Sequence, residues 1–312
     1  FYPVRAGDDA TGETHFVGPL ALGADRDFDE ADVRSRVRKQ LKSSDLLKAD
    51  HKLFYAVGGA WRALAKLQMD IDRYPLRVLQ GYTMRAKDVR RAVKAALSSA
   101  SDPTMRARVD NLMKRRAGTL PYAAVVLDEL LDCGDFSEVI VSSYGLREGV
   151  LRDLVGKQDG DPLLDGAAAF ARLSSDQTAF GVSLYDFVAP ALAPKPDLFG
   201  SFDADDRIDR AACLLADSGG RFHPDHRASM ACDQALRAPY AGLNHQERVF
   251  IAAAVGWRYS RGFSLRDKYV GLMSDEQIDR ARRLGACMRL GAVFSGRSAP
   301  ILNEARLERG SG

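Results

Sequence analysis

The fold of this chain is decided by two stretches of its sequence, Tyr55-Ala-Val-Gly-Gly-Ala-Trp-Arg62 and Ser143-Tyr-Gly-Leu-Arg-Glu-Gly-Val-Leu151. Each stretch follows an apolar run of the kind found in buried strands and opens a segment with helical spacing of apolar residues. We predict strands at residues 53–57 and 138–142, each followed by a glycine-containing turn and a helix. Because helices separate the two strands along the chain, the sequence predicts a parallel pair joined by a crossover.

Both turns have the features of an anion site. A strand that enters a helix through a glycine turn leaves backbone N–H groups free, and the positive end of the helix dipole faces the same point. Phosphate is the usual anion there, so we assign Gly58, Gly59, Arg62, Arg147 and Glu148 as candidate phosphate-binding residues. A structural interpretation stays open: the glycines form a tight turn, Arg62 faces solvent, and Glu148 favours the helix dipole without a ligand.

Together with Lys114-Arg-Arg-Ala-Gly-Thr-Leu-Pro-Tyr122, these stretches resemble the second half of a known catalytic module. The three stretches occur in the same order as in that module. It is the module of the exopolyphosphatase/guanosine pentaphosphate phosphatase family, which has the actin-like phosphotransferase fold, and the similarity covers residues 18–155. The resemblance implies that Arg115 and Arg116 bind polyphosphate, although the pair could equally tie the crossover to the sheet. The family usually has threonine after the two glycines, whereas this chain has Ala60.

The remainder, residues 162–293, resembles the helical HD-like domain that follows the module in this family. The HD phosphohydrolase pattern places a metal-binding histidine before an aspartate, but Ala216 stands at the histidine position and only Asp217 is retained. Because alanine cannot bind a metal, we predict no metal site in this domain. His223 and His226 are expected to make polar contacts around a loop and a helix start, and the domain is expected to act as a scaffold or dimerisation element.

The predicted fold class is therefore α/β plus all-α, with a partial actin-like (ribonuclease H-like) domain followed by an HD-like helical domain. The turn-rich run Gly156-Lys-Gln-Asp-Gly-Asp-Pro162 marks the boundary, which gives domains at residues 1–157 and 158–312. Before the boundary we predict a strand remnant at residues 14–17 and further helices at residues 29–42, 86–98, 103–113 and 119–132. After it we predict helices and no strand, at residues 163–173, 177–193, 205–216, 226–236, 245–256 and 275–290.

Charged residues are distributed unevenly in the first domain. Basic residues cluster between Arg73 and Arg116, where carboxylates are sparse. This cluster predicts either a positive surface near the glycine turns or an ordinary solvated helix face. Asp128 and Glu129 are interpreted as facing solvent, and neither is assigned as a catalytic base.

One part of the family pattern has no counterpart here. The amino-terminal half of the family's module carries an Asp-x-Gly-Gly-Gly-Ser phosphate loop and a glutamate that acts as the base toward water. The only Gly-Gly pairs of this chain are at residues 58–59 and 219–220, and the sequence begins at Phe1. We therefore expect this chain to be the carboxy-terminal part of a larger enzyme, with no catalytic residue of its own and no activity alone.

Composition excludes several other classes of protein. The hydrophobic fraction of 46% and the charged fraction of 28% are typical of a soluble globular protein. No apolar stretch reaches the roughly 18 residues needed to cross a bilayer, and a net charge of +3 is too small to indicate nucleic-acid binding. The four cysteines stand singly, which predicts reduced thiols in a cytoplasmic protein.

The function implied by the resemblance is hydrolysis of terminal phosphoanhydride bonds in inorganic polyphosphate, with guanosine pentaphosphate as a second substrate. It also implies Mg²⁺ as the cofactor of the intact enzyme and a homodimeric assembly. Two alternatives stay open. One is a noncatalytic module that binds polyphosphate or a nucleotide or only dimerises, and the other is an HD-type metal phosphohydrolase, which Ala216 argues against.

Overall fold

The structure is a computed structural model that describes residues 12–24, 27–49, 51–155, 160–172, 178–193 and 197–310, without the side chains of residues 114–116, 153 and 202. The chain divides into two compact units, unit 1 with residues 1–156 and unit 2 with residues 157–312. That unit 1 is an actin-like domain and unit 2 an HD-like domain stays a prediction.

Unit 1 combines helices with a three-stranded sheet. Its described elements are, in chain order, α1 (Glu30–Leu41), β1 (Leu53–Val57), α2 (Gly59–Ile71), β2 (Tyr82–Arg85), α3 (Ala86–Ser98), α4 (Pro103–Met113), α5 (Leu120–Cys133), β3 (Glu138–Ser142) and α6 (Leu146–Val155). Short 3-10 turns lie at Leu46–Lys48 and Lys114–Thr119.

The sheet has the strand order β1-β3-β2. β1 and β3 are parallel, with Val57 opposite Ser142, so both strands end at the same edge of the sheet. This confirms the predicted parallel pair. β2 runs antiparallel to β3 and was not predicted, although its buried Tyr82 and Met84 alternate with exposed residues as a half-buried strand requires.

Helix α5 is the most buried helix of unit 1 and packs against α1, α2 and α3. Helix α1 contributes Val33, Val37 and Leu41, whose spacing of four residues places them on one face. The Asp29 side chain accepts hydrogen bonds from the N–H groups of Ala31 and Asp32, at 2.9 and 3.1 Å, which confirms the predicted cap of this helix.

The strand remnant predicted at residues 14–17 is wrong. Residues 12–17 form no strand, and turns follow them from residue 18 to residue 24. The segment is held by side-chain hydrogen bonds instead. The Glu13 carboxylate accepts from the N–H groups of Asp45 and Leu46 at 2.9 and 3.0 Å, and His15 contacts the carbonyl oxygen of Gln40 at 3.1 Å.

The interpretation of Asp128 and Glu129 as solvent-facing is also wrong. Glu129 is fully buried, and its carboxylate accepts hydrogen bonds from Arg34 at 2.9 Å and from Arg38 at 2.5 Å. Asp128 accepts from Arg34 at 2.8 Å and from Arg90 at 3.0 Å. Because α5 packs between α1 and α3, the polar face of this helix meets arginines of its neighbours rather than water.

Unit 2 is all-helical over its described residues. Its helices are α7 (Pro162–Arg172), α8 (Thr178–Val188), α9 (Phe202–Leu214), α10 (Arg227–Arg237), α11 (His245–Tyr259), α12 (Asp267–Val270), α13 (Asp275–Ser295) and α14 (Ala299–Asn303), with a 3-10 turn at Pro190–Leu192. The helices predicted from sequence are present, and α12 and α14 are additional. The fold class α/β plus all-α is therefore confirmed at this level.

The core of unit 2 is built around α11, which packs against α9, α10 and α13. A Cβ at Gly285 in α13 would lie 2.5 Å from the Trp257 Cβ and 2.6 Å from the Ala254 carbonyl oxygen of α11, so glycine permits the close contact of these two helices. Capping boxes start both helices, formed by Asn244 with Glu247 and by Ser274 with Gln277. Among the described helices, none has the length and apolarity needed to cross a membrane.

Candidate phosphate-binding site

The turn between β1 and α2 has a backbone conformation that requires glycine. Gly58 has φ 147° and ψ 156° and occupies the N-cap position of α2, where no side chain caps the helix. Gly59 is the first residue of that helix. The first N–H groups of a helix have no intrahelical acceptor, so the amides of Gly59, Ala60 and Trp61 are available to an anion.

Arg62 connects this turn to the end of β3. Its Nε donates to the carbonyl oxygen of Gly58 at 3.3 Å, and its Nη1 donates to the carbonyl oxygen of Ser143 at 3.2 Å. The side chain is partly buried rather than turned into solvent. It thereby joins the two sequence stretches and covers two carbonyl oxygens that would repel a phosphate.

The loop after β3 is fixed by side-chain contacts with its backbone. Ser143 donates its N–H to Gln80 Oε1 at 2.7 Å, and Tyr144 donates its N–H to Ser142 Oγ at 3.1 Å. The N–H of Gly145 donates to Glu148 Oε2 at 2.7 Å. At the start of α6, the Gly145 N–H is therefore already bonded to the Glu148 carboxylate and is not available to a ligand.

Glu148 remains ionised at neutral pH. The hydrogen bond from the Gly145 N–H lowers the pKa of its carboxyl below the usual range, and the Glu148 N–H and the positive charges of Arg147 and Arg62 act in the same direction. Glu148 thus has the structural role considered from the sequence, that of a carboxylate at the positive end of a helix. Its role in phosphate binding stays a prediction.

The other assigned residues are placed differently. Arg147 lies exposed in the first turn of α6, next to Glu148. Arg115 and Arg116 lie in the 3-10 turn that leads into α5, and their side chains are outside the described residues. Gln80 contributes to the loop after β3 but was missed, because it belongs to no motif and reaches Ser143 only through the fold.

Much of the basic cluster between Arg73 and Arg116 is paired within unit 1. Asp70 accepts from Arg108 at 2.6 Å and from Arg77 at 3.4 Å, and Asp72 accepts from Arg91 at 2.7 Å. The hydrogen bond from Arg108 holds the pKa of the Asp70 carboxyl below its usual range. These pairs favour the solvated helix face over a strongly positive surface.

Ala216 and Asp217, the residues compared with the HD motif, lie in the interior of unit 2. Ala216 is fully buried, and Asp217 pairs with Arg297 at 3.4 Å and with Arg258 at 3.8 Å. Over the described residues, no group of three His, Cys, Asp or Glu side chains could hold a metal ion. His223 makes a polar contact within its loop, since its Nδ1 accepts from the Asp225 N–H at 3.3 Å.

The four cysteines differ in their exposure. Cys213 and Cys232 are buried, Cys287 is partly buried, and Cys133 is exposed. Burial raises the pKa of the Cys232 thiol to about 12, so this thiol stays protonated at neutral pH.

Two models of known families match the chain. The model described as "Ppx/GppA phosphatase family" matches residues 30–158, and the model described as "Exopolyphosphatase, C-terminal" matches residues 184–311. The chain belongs to the exopolyphosphatase/guanosine pentaphosphate phosphatase family, a class of hydrolases. Comparison with curated proteins gives no match.

Proposed function

We propose that this chain binds the phosphate chain of inorganic polyphosphate where β1 and β3 end, and that it serves in the hydrolysis of terminal phosphoanhydride bonds. Guanosine pentaphosphate is the proposed second substrate, because its phosphates present the same chemistry. Membership in the phosphatase family supports the substrate class. The observation that carries the proposal is the uncapped start of α2 at Gly58, with Arg62 beside it.

The chemistry of this position suits a phosphate group. Phosphoryl transfer depends on positioned donors that stabilise charge on the phosphate oxygens, rather than on covalent chemistry by the protein. The amides of Gly59, Ala60 and Trp61 supply donors without bringing a full charge, and the Arg62 guanidinium supplies a fixed cation. A phosphate bound here would lie at the positive end of α2.

We propose that unit 1 contributes binding rather than the catalytic base. Glu148 is the carboxylate present at the described turns, and its Oε2 already accepts from the Gly145 N–H. A carboxylate engaged in this way holds the loop in place and is poorly suited to accept a proton from water. The chain is therefore proposed to have no hydrolytic activity by itself.

The described residues do not form a Mg²⁺ site of their own. Mg²⁺ prefers several oxygen ligands, commonly one or two carboxylates together with substrate phosphates. The described turns bring one carboxylate, that of Glu148, and it is already hydrogen-bonded. We therefore propose that Mg²⁺ enters this site only together with the polyphosphate.

The noncatalytic alternative is favoured by one observation. The described turns combine anion donors with no second carboxylate, which is the composition of a binding site. In that case the parallel β1–β3 pair would form part of an actin-like domain that recognises polyphosphate without cleaving it. A homodimer with unit 2 as its HD-like dimerisation element, and a cytoplasmic location, are proposals of the same kind.

Titration of labelled polyphosphate at several salt concentrations tests the proposed binding. Arg62→Gln removes the cation beside α2, so the dissociation constant should rise about tenfold and the salt dependence should become shallower by roughly one counterion. Arg36→Gln is the matched control, since Arg36 also donates to two backbone carbonyls, those of Leu22 and Ala21, but on α1.

The same samples should release no phosphate from polyphosphate in the presence of Mg²⁺. An affinity unchanged by Arg62→Gln, or equal losses in both variants, would place the binding site elsewhere. Steady phosphate release by the wild-type chain would overturn the purely binding role.

A further inference from the structure

Asp217 of unit 2 pairs with two arginines, which lie close to Tyr259 and a third arginine. Arg297, just after α13, contacts both carboxylate oxygens at 3.4 Å, and Arg258 of α11 contacts one of them at 3.8 Å. Arg258 and Arg227 both lie over the ring of Tyr259, with 4.7 and 5.9 Å between the guanidinium carbon and the ring centroid. Asp217 therefore contacts two arginines, and a third, Arg227, lies over the neighbouring Tyr259 ring.

These ion pairs are loose. Direct hydrogen bonds between a guanidinium and a carboxylate are commonly about 2.7–2.9 Å long, shorter than either contact of Asp217. Asp217 and Arg258 are both more than nine-tenths buried, so water does not screen their interactions strongly. The charges are held close together without being fully paired.

Several hydrogen-bond donors around Asp217 also lack acceptors. The Nε of Arg258 and the Oγ of Ser218 are buried and have no hydrogen-bond partner. The hydroxyl oxygen of Tyr259 accepts from the Gly219 N–H at 2.9 Å, and none of the described hydrogen bonds uses its hydrogen. Buried donors without acceptors destabilise a protein, because they have lost their water.

The electrostatics around Arg258 also favour an additional anion. Burial lowers the pKa of Arg258, and the positive charges of Arg297 and Arg227 lower it further, although Tyr259 and Asp217 act in the opposite direction. A cation in this position would be stabilised by an additional anion. A tetrahedral oxyanion could accept from several of these donors at once and would add the negative charge that Asp217 alone does not supply.

We propose that unit 2 holds a second anion site around Asp217, in which Arg258, Arg297, Ser218 and Tyr259 bind a phosphate group. The phosphate is either a free ion or the terminal group of a phosphorylated ligand. Asp217 positions the two arginines, and Arg227 adds positive charge beside Tyr259. The site consists entirely of unit 2 residues and does not depend on phosphate binding by unit 1.

The test is calorimetric titration of the full chain with inorganic phosphate, with tripolyphosphate, and with chloride as a control for ionic strength. Arg297→Gln changes an exposed side chain and should preserve the fold, while weakening phosphate binding about tenfold. Arg258→Met removes the buried cation at similar volume and should abolish binding. Its thermal stability without phosphate should also fall, because Asp217 loses one of its two arginine partners, so the exposed Arg297→Gln is the decisive variant.

The control is Arg237→Met, which changes an exposed arginine of α10 paired with Asp233 at 3.0 Å and should leave phosphate binding unchanged. Equal affinities for phosphate and tripolyphosphate would indicate a free ion, and tighter binding of tripolyphosphate would indicate a chain end. The phosphate titration is repeated in Arg62→Gln, where binding at Asp217 should persist even if the unit 1 proposal fails.

Two results would overturn the proposal. One is the absence of phosphate binding by the wild-type chain, which would mean that water alone serves the unpaired donors. The other is equal phosphate binding by the wild type and Arg297→Gln, which would place the anion elsewhere.

Discussion

Glu129 shows how a single charged residue organises unit 1. Its carboxylate is fully buried under α1 and is shared by Arg34 and Arg38. Arg34 also pairs with Asp128 and Glu30, so the contact between α1 and α5 is a network rather than one ion pair. A buried carboxylate is tolerated only when such partners replace its water.

Glu129→Gln should destabilise the chain. The substitution removes the charge that holds two arginines, although both remain partly exposed and can recover some hydration. The expected loss is about 2–3 kcal/mol, at the lower end for breaking a buried pair. Urea unfolding measures it, with Asp132→Asn as the control, because Asp132 pairs with Arg90 at an exposed position and should contribute under about 1 kcal/mol. Similar losses in the two variants would contradict a special role for the buried carboxylate.

Residue-level features were predictable only where they depended on local sequence. The Asp29 cap could be identified because an N-cap acts on amides two and three residues later. The environment of Glu129 could not, since its partners lie on α1, far away in the sequence. Gln80 was missed for the same reason, because its contact with Ser143 depends on the placement of β2 beside β3.

At the scale of elements, the two strand-to-helix turns are the features that most directly position the candidate site. β1 and β3 are parallel and end at one edge, so the starts of α2 and α6 are brought together there. The turn before α2 is left uncapped, whereas the turn before α6 is closed by Glu148. The two turns look alike in sequence but differ in the donors they leave for a ligand.

Gly58→Ala should strain the first turn. A Cβ at Gly58 would meet no atom within 4 Å, so the cost arises from the backbone, whose φ of 147° is rarely adopted by other residues. We expect a loss of roughly 1–3 kcal/mol in unfolding free energy, together with weaker polyphosphate binding. Gly149→Ala in the exposed helix α6 is the control and should be neutral or stabilising by up to about 1 kcal/mol. A Gly58→Ala protein as stable as the wild type would show that the turn can relax.

Helices and strands were predicted correctly where the sequence pattern was long or had clear start and stop residues. Helix α4 has the bounds expected from Pro103 at its start, and α13 has a capping box at Ser274. β2 was missed because four residues provide too little periodicity, and its strand character depends on pairing with β3. The strand predicted at residues 14–17 does not form, because its apolar residues have no strand to pair with in the described structure.

At the scale of the whole molecule, an α/β unit precedes an all-helical unit, and both match models of one phosphatase family. The order of the glycine turns, the arginine pair and the helical remainder was enough to predict that family. The candidate site was predicted less completely. Sequence motifs identify Gly58 and Arg62, but the bridge from Arg62 to Ser143 exists only because β1 and β3 are neighbours.

Backbone amide NMR of the 34.1 kDa chain during titration with polyphosphate tests the central claim most directly. If phosphate binds at the uncapped start of α2, the amides of Gly59, Ala60 and Trp61 should show the largest chemical-shift changes in unit 1. The changes should saturate with the polyphosphate concentration, and they should be strongly reduced in Arg62→Gln. Saturating binding that leaves these three amides unmoved would contradict the account, because the phosphate would then be held without the feature that defines the site.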